Sequence, residues 1–279
     1  MLLKDYYTNL KKEFHEFNFK GIAFNSNLVK KNYIFFAIKG NNLDGNKYIK
    51  DAIKNGSKII ISEKVKERFE NNILYLKNKN PRRLLAEFAV KLNNQHPNNL
   101  VAVTGTNGKS SIANFYYQIL KLNKKKVASI GTLGIEGINY KKNISNTTYD
   151  PIILNKVLAI LKKKKINNVI LEASSHGLKQ HRLDGLKFNL GIFTNLTRDH
   201  LDYHKTFKDY YDSKLILFKK LMKKKSNIIF DEDLAITNKI KKIIKKNSFK
   251  PLSIGSSNSD LIVIDHKFLN FNQNVKFLY

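Results

Sequence analysis

A short glycine loop is the part of the sequence whose residue types point most directly to chemistry. The loop Gly105–Ser111 follows an apolar run and precedes the apolar-periodic stretch Ile112–Leu122. Backbone N–H groups in such a loop, together with the positive end of the following helix, form a cradle for phosphate oxygens. Lys109 would reach the β- and γ-phosphates of a nucleotide, and the hydroxyl of Ser110 would bind Mg²⁺. The sequence therefore predicts a nucleotide site here.

The loop is shorter than the common phosphate-binding loop. The common motif has about four residues between its two glycines, whereas only Thr106 and Asn107 separate Gly105 from Gly108. The shortening narrows the group of proteins to which the chain can belong.

A carboxylate ends another strand of apolar residues. Glu172 follows the apolar run Val169–Leu171, and at the carboxyl end of a strand beside the loop strand it could hold Mg²⁺ directly or through water. A lone glutamate in this position is usually a polar strand terminus. The small residues of Ala173–Gly177 favour a site, because they predict a tight turn that keeps side chains exposed at the sheet edge.

A third polar segment follows another apolar strand. Thr194–His204 carries five ionisable side chains in eleven residues. This density favours a second metal or phosphate site, since the neutral imidazole of His200 can bind a metal.

Asn146–Thr148 is suited to hydrogen-bonding a polar ligand, and it precedes a helix that Asp150 caps and Pro151 opens. Lys214 is, by composition, one lysine among many.

These residues need a sheet whose strand ends meet at one edge. From Leu100 onward the sequence predicts alternating strands and helices, which indicates a parallel sheet covered on both faces. The predicted strands are 100–103, 127–130, 168–172, 190–195 and 227–231, and the predicted helices are 109–122, 152–162, 207–222 and 233–245. The fold class is α/β: a small N-terminal α/β domain, 1–80, and a central P-loop-type domain with a mostly parallel sheet, 81–279.

Bulk properties exclude several classes. The chain has 279 residues, of which 42% are hydrophobic, and no cysteine, which excludes disulfides and thiolate metal sites. The formal net charge of +29 invites a nucleic-acid interpretation, but lysine is spread through the chain without interleaved aromatic residues, so no nucleic-acid partner is expected. No apolar run approaches the length needed to cross a bilayer. Neither membrane insertion nor a signal peptide is expected, and the expected location is the cytoplasm.

Taken together, these segments resemble the Mur ligase superfamily. The short loop is typical of the superfamily, which includes the folylpolyglutamate synthases. Three further segments are similar to the MurE type, which adds the third amino acid to the peptidoglycan precursor: Asn146–Thr148, Ser174–Arg182 and Thr194–His204. The resemblance covers nearly the whole chain and is weakest before residue 20 and after residue 230.

The resemblance implies an ATP-dependent ligase, with ATP and Mg²⁺ as cofactors. Its partners would be UDP-MurNAc-L-Ala-D-Glu and an amino acid, joined through an acyl phosphate. Lys109, Glu172, His200 and Lys214 would be catalytic. The implied ATP-binding residues are Gly105, Thr106, Asn107, Gly108, Lys109, Ser110 and Ser111. The implied metal-binding residues are Ser110, Glu172, His200 and Lys214, the last as a carbamylated lysine. The implied muropeptide-binding residues are Phe24, Ser26, Asn41, Asn42, Leu43, Asn146, Thr147, Thr148, Ser174, Gln180 and Arg182.

The chain departs from the family at three places. Asn25-Ser26-Asn27 replaces the family's Asp-Ser-Arg, and Ile229–Asp233 lacks an asparagine that usually precedes an acidic pair. The family's third, C-terminal domain is also expected to be absent. We therefore expect a truncated or split ligase, either a monomer or a partner of a separately encoded C-terminal domain, that binds nucleotide but ligates poorly alone. Two alternatives remain open: a folate-polyglutamating ligase and a non-catalytic binding module.

Overall fold

The computed structural model describes residues 1–8, 10–40, 43–138, 146–270 and 272–279. The chain forms two compact units. The first contains Met1–Asn94, Asp150–Val157 and Gln180–Gly185, and the second contains Gln95–Tyr149, Leu158–Lys179 and Leu186–Tyr279. The mixed α/β architecture with mostly parallel sheets that the sequence predicted is confirmed.

The first unit is built on a five-stranded sheet with the strand order β1-β2-β3-β5-β4, in which only the β4–β5 pair is antiparallel. Its elements are β1 Gly21–Ala23, β2 Tyr33–Ala37, α1 Ile49–Lys54, β3 Ser57–Ser62, β4 Arg68–Glu70, β5 Ile73–Lys77 and α2 Pro81–Leu92. The side chain of Asn80 accepts a hydrogen bond from the N–H of Arg83, so α2 begins with a cap followed by a proline, as helix starts favour.

The second unit contains a nine-stranded sheet with the order β14-β13-β12-β11-β10-β6-β9-β7-β8. Its strands are β6 Asn99–Thr104, β7 Val127–Gly131, β8 Gly134–Glu136, β9 Asn168–Glu172, β10 Phe188–Phe193, β11 Met222–Asp231, β12 Lys250–Gly255, β13 Leu261–Leu269 and β14 Asn272–Leu278. The helices after α2 are α3 Lys109–Leu122, α4 Pro151–Lys163, α5 Ser175–Lys179, α6 Leu201–His204, α7 Phe207–Ile216 and α8 Thr237–Asn247.

The centre of this sheet brings the predicted chemical segments to one edge. The strands β10, β6 and β9 are adjacent and parallel, so the segments that follow them emerge side by side. The apolar side chains of Val101, Val103, Ile170 and Ile192 pack together with Ala113 of α3. This contact fixes the start of α3 against the strands that lead into the site.

Several predicted elements have different bounds in the structure. The predicted helix 207–222 ends as an α-helix at Ile216 and continues as a π-helical turn, Leu217–Leu221, whose Leu217, Phe218 and Leu221 are buried. The predicted strand 190–195 is β10, Phe188–Phe193, and the predicted helix 233–245 begins only at Thr237.

Among the described residues, no helix combines the length and the apolar character that a membrane span requires.

The core of the first unit depends on one aromatic side chain. The ring of Phe88 is fully buried, and its centroid lies 5.5 Å from those of Tyr6 and Phe36 and 5.9 Å from that of Phe19. We expect Phe88→Ala to lower the free energy of unfolding by about 3–5 kcal/mol, because it leaves a cavity in a packed core.

Urea denaturation followed by circular dichroism measures this loss. Phe69→Ala is the matched control, because Phe69 lies in the same unit with half of its surface exposed (51%), and we expect it to cost about 1 kcal/mol or less. Equal losses for the two variants would contradict the assignment of Phe88 to the core.

Candidate active site

One pocket of the second unit collects most of the predicted nucleotide and metal residues. The residues that line it are Thr106, Asn107, Gly108, Lys109, Ser110, Ser111, Thr132, Thr147, Glu172, Ser174, Ser175, His200 and Lys214. They come from the glycine loop, from the ends of β7 and β9 and the residues just after them, and from the segments that precede α4 and α6. Lys214 lies near the C-terminal end of α7.

The glycine loop is held by the segment that follows β10. The N–H groups of Thr106 and Asn107 donate to the backbone oxygen (3.0 Å) and the side-chain oxygen (2.8 Å) of Asn195. The hydroxyl of Thr194 donates to the carbonyl oxygen of Asn107 (2.6 Å). A Cβ atom at Gly105 would lie 1.9 Å from that hydroxyl oxygen, so a larger residue would break this contact.

The donors left for phosphate are at the start of α3. Gly108 has a φ of +82°, the left-handed region that favours glycine, and it turns the chain into the helix at Lys109. The first N–H groups of a helix have no intrahelical acceptor. The N–H groups of Lys109, Ser110 and Ser111 are therefore the donors that the helix directs toward an anion.

Glu172 lies at the centre of the pocket's polar contacts. Its side chain is buried, with 3% exposed, and its Oε2 accepts a hydrogen bond from the hydroxyl of Ser110 (3.0 Å). Its Oε1 accepts one from the N–H of Thr132 (3.0 Å), and the Thr132 hydroxyl lies 3.1 Å from Oε2. A Cβ atom at Gly131 would lie 2.1 Å from Oε1, so glycine leaves the room that the carboxylate occupies.

The turn after Glu172 is buried, which corrects the expectation that its small residues would keep their side chains exposed. Ala173 and Ser175 are 0% and 2% exposed. The N–H of Ala173 donates to the carbonyl oxygen of Val103 (2.8 Å), and the N–H of Ser174 donates to the hydroxyl oxygen of Thr148 (2.9 Å). These bonds draw the turn inward, so that α5 begins at Ser175.

Two lysines meet at the carbonyl oxygen of Gly105. The Nζ atoms of Lys109 and Lys214 both donate to it, at 3.0 and 2.6 Å, and Lys109 also donates to the carbonyl oxygen of Thr106 (2.7 Å). Lys214 is almost fully buried, and its Nζ lies 4.3 Å from the ring centroid of Tyr210. Burial and the nearby charge of Lys109 lower the pKa of Lys214 to about 7, against the opposing effect of Asp199. Burial also lowers the pKa of Lys109.

The second metal or phosphate site that the composition of segment 194–204 favours stays a prediction. Within the described parts of the chain, no three His, Asp or Glu side chains are arranged to hold a metal. The side chain of His204 is fully buried, and its pKa is lowered to about 4, chiefly by burial. The imidazole of His200, by contrast, lines the pocket with half of its surface exposed.

The predicted muropeptide residues are distributed over both units. Thr147 and Ser174 line the pocket. Thr148 is buried, and its hydroxyl donates to the carbonyl oxygen of Glu172 (2.8 Å), while Asn146 is exposed. Direct contact of these residues with a substrate stays a prediction.

Five of the remaining predicted residues belong to the first unit. There, the guanidinium of Arg182 donates to Oε1 of Gln180 through Nε (3.2 Å) and Nη2 (2.8 Å). Ser26 is buried, whereas Phe24 and Leu43 are exposed. The predicted Asn41 and Asn42 lie outside the described residues.

Sequence reasoning missed Thr132 and Tyr210. Thr132 follows β7 and holds Glu172, and the rule that the strand ends of a parallel sheet meet at one edge could have identified it. Tyr210 lies four residues before Lys214, so both fall on one face of α7. Its hydroxyl donates to Thr106 Oγ1 (3.0 Å), a contact over 104 residues that no local pattern indicates.

Two protein-family models match the chain. The family model described as the Mur ligase middle domain matches residues 103–278, and that described as the Mur ligase family catalytic domain matches residues 18–91. The UDP-N-acetylmuramoyl-L-alanyl-D-glutamate–2,6-diaminopimelate ligase of Rickettsia conorii is 36% identical over 275 residues, which are 97% of this chain and 57% of the relative. The ligase of the same name from Brucella melitensis is 40% identical over 78% of this chain and 45% of its own length.

A solved structure of a ligase with that name superimposes with a TM-score of 0.82 at 25% identity, over 99% of this chain and 57% of that one. The chain thus spans about half the length of the relatives it matches. The resemblance predicted from the sequence is confirmed. Since a family model matches more than half of its residues, the chain belongs to the Mur ligase family.

Proposed function

We propose that this chain serves ATP-dependent amide ligation in peptidoglycan precursor synthesis, joining 2,6-diaminopimelate to UDP-MurNAc-L-Ala-D-Glu through an acyl phosphate. One observation carries the proposal: a single pocket brings together the phosphate loop, the Glu172 carboxylate and the buried Lys214. The names of the relatives, which are diaminopimelate ligases, support the choice of substrate.

The loop and Lys109 would bind the ATP phosphates. The ammonium of Lys109 contacts two carbonyl oxygens of its own loop, and anionic phosphate oxygens are stronger partners for it. Phosphoryl transfer requires mainly positioning and neutralisation of charge. Lys109 would therefore leave the loop carbonyls for the β- and γ-phosphates and stabilise the charge that develops during transfer.

The residues around Glu172 fit a magnesium ion. The Ser110 hydroxyl and the Glu172 carboxylate are hard oxygen donors whose atoms lie 3.0 Å apart. Mg²⁺ prefers oxygen ligands and takes only one or two carboxylates besides waters and phosphates, so a cluster of three acidic groups is not needed. Bound there, Mg²⁺ would neutralise phosphate charge. The exposed His200 imidazole lines the same pocket and is the proposed ligand of a further metal.

Lys214 is proposed to act as a carbamate. The lowered pKa leaves part of its amine neutral near pH 7, and a neutral amine adds to the carbon of CO₂, forming a C–N bond and releasing one proton. The product is an anionic, carboxylate-like metal ligand on a side chain longer than that of glutamate. Lys214 lies beside the carbonyl oxygen of Gly105 in the phosphate loop, so such a ligand would lie close to the bound phosphates.

The chemistry would then proceed in two steps. A carboxylate of the bound muropeptide attacks the γ-phosphorus of ATP in line, the bond to the β-γ bridging oxygen breaks, and ADP leaves. The amino group of 2,6-diaminopimelate attacks the acyl carbon, inorganic phosphate leaves and the amide forms. In this proposal Thr147, Ser174, Gln180 and Arg182 hold the muropeptide, together with residues 24, 26, 41–43, 146 and 148.

Trapping the acyl phosphate tests the first step. With ATP, Mg²⁺ and UDP-MurNAc-L-Ala-D-Glu, hydroxylamine should convert the intermediate to a hydroxamate, and UDP-GlcNAc, which lacks the peptide carboxylate, should give none. We expect Lys109→Met to lower hydroxamate formation by at least about 100-fold, since it removes the charge that faces the transferred phosphoryl group. Lys121→Met, on the exposed side of the same helix, should leave the rate within about twofold.

Hydroxamate formation at the wild-type rate by the Lys109 variant would contradict the proposed role of the loop. A wild-type chain that binds ATP and a folate but not the muropeptide would support the folate ligase instead.

Carbamate formation at Lys214 can be observed directly. With ¹³C-bicarbonate, we expect a carbamate signal that is stronger at pH 8 than at pH 6. The sign follows from the pKa of about 7: above it the amine is largely neutral and nucleophilic, and below it the amine is protonated. The measurement is ¹³C NMR. Lys214→Met should abolish the signal, whereas Lys179→Met, which changes a more exposed lysine, should retain it. A signal that survives in Lys214→Met would assign the carbamate elsewhere.

A further inference from the structure

The hydroxyl of Thr106 makes all of its hydrogen bonds within the protein. It donates to the carbonyl oxygen of Thr197 (3.2 Å) and accepts hydrogen bonds from the N–H of Thr197 (3.0 Å) and the hydroxyl of Tyr210 (3.0 Å). A hydroxyl has one donor and two acceptor positions, so all three are occupied. Thr106 therefore anchors the loop through its side chain, and its hydroxyl has no position left for a phosphate.

Tyr210 connects this anchor to the lysine beneath the loop. Its side chain is completely buried, and a buried phenol hydroxyl needs a hydrogen-bond partner, which Thr106 supplies. The ring of Tyr210 lies 4.3 Å below Nζ of Lys214, which donates in turn to the carbonyl oxygen of Gly105. Tyr210 thus contacts the loop directly at Thr106, and it supports the preceding residue, Gly105, through Lys214.

Two parts of Tyr210 have separable roles. The ring packs edge-on against His204, with centroids 5.3 Å apart, and lies tilted by 36° against Phe207, with centroids 6.4 Å apart, so it fills the core. Among the residues that the structure describes, the hydroxyl of Tyr210 donates a hydrogen bond only to the loop, at Thr106. A Tyr210→Phe substitution preserves the ring and removes only the contact with the loop.

We propose that Tyr210 is a positioning residue of the nucleotide site, whose hydroxyl holds the phosphate loop through Thr106 in the shape that receives the β-phosphate. Preorganised donors bind an anion more tightly than donors that must first be ordered. The proposal rests on the proposed function, because it requires the loop to bind nucleotide phosphates.

The test compares ADP with AMP binding by isothermal titration calorimetry, using the whole chain. We expect Tyr210→Phe to weaken ADP binding by about fivefold, the effect of one hydrogen bond. Thr106→Val should weaken it at least as much, because it removes that bond and also the two bonds to Thr197. The double variant should be no weaker than Thr106→Val alone, because Thr106→Val already removes the bond that Tyr210→Phe removes. AMP, which lacks the β-phosphate, should bind all variants as it binds the wild type. Tyr211→Phe is the control, because its hydroxyl contacts Lys239 instead.

Unchanged ADP affinity in folded Tyr210→Phe would overturn the proposal, and so would an equal loss for ADP and AMP, which indicates general damage. If Tyr210→Phe does not fold, Thr106→Val alone decides the question by the same two criteria. A wild-type chain that fails to bind ADP would overturn the proposed function together with this proposal, whereas normal wild-type binding with unaffected variants overturns this proposal only.

Discussion

The Glu172 carboxylate lies buried at the end of β9 and accepts hydrogen bonds from the Ser110 hydroxyl and the Thr132 N–H. A buried charge is costly unless it is hydrogen-bonded, so these donors are required for the carboxylate to remain there. These two donors lie on α3 and on the chain after β7. The carbonyl oxygen of Glu172 also accepts a hydrogen bond from the hydroxyl of Thr148. One side chain therefore joins the helix of the phosphate loop to two neighbouring strands, and Gly131 leaves the space for it.

A second constraint holds the other side of the pocket. The carbonyl oxygen of Gly105 receives the ammonium groups of both Lys109 and Lys214, and like charges so close together disfavour double protonation. Burial, with this proximity as a second cause, is the physical reason why the pKa of Lys214 falls to about 7. The arrangement links the lysine that is proposed to carry a carbamate to the lysine that is proposed to bind phosphate. Phosphate oxygens that attract Lys109 would relieve the crowding at that carbonyl oxygen.

The sequence predicted the elements whose signals are local. The bounds of α3 and β9 agree with prediction to the residue, because a glycine, a lysine-serine pair and uninterrupted apolar runs define them. The π-helical turn after Ile216 and the burial of Ala173–Ser175 escaped prediction, since both depend on tertiary contacts. The hydrogen bond between Tyr210 and Thr106 escaped prediction for the same reason. Family resemblance, and no spacing rule, singled out Lys214 among the chain's many lysines.

The dependence of ATP affinity on Mg²⁺ tests the central role of Glu172 most directly. In the wild type, Mg²⁺ should tighten ATP binding in calorimetric titrations. In Glu172→Gln this gain should fall by at least about tenfold, while ATP binding in the presence of EDTA stays near the wild-type value, because the loop donors remain. Glu136→Gln, at an exposed position of β8, should keep the full gain. An undiminished Mg²⁺ effect in folded Glu172→Gln would contradict the account.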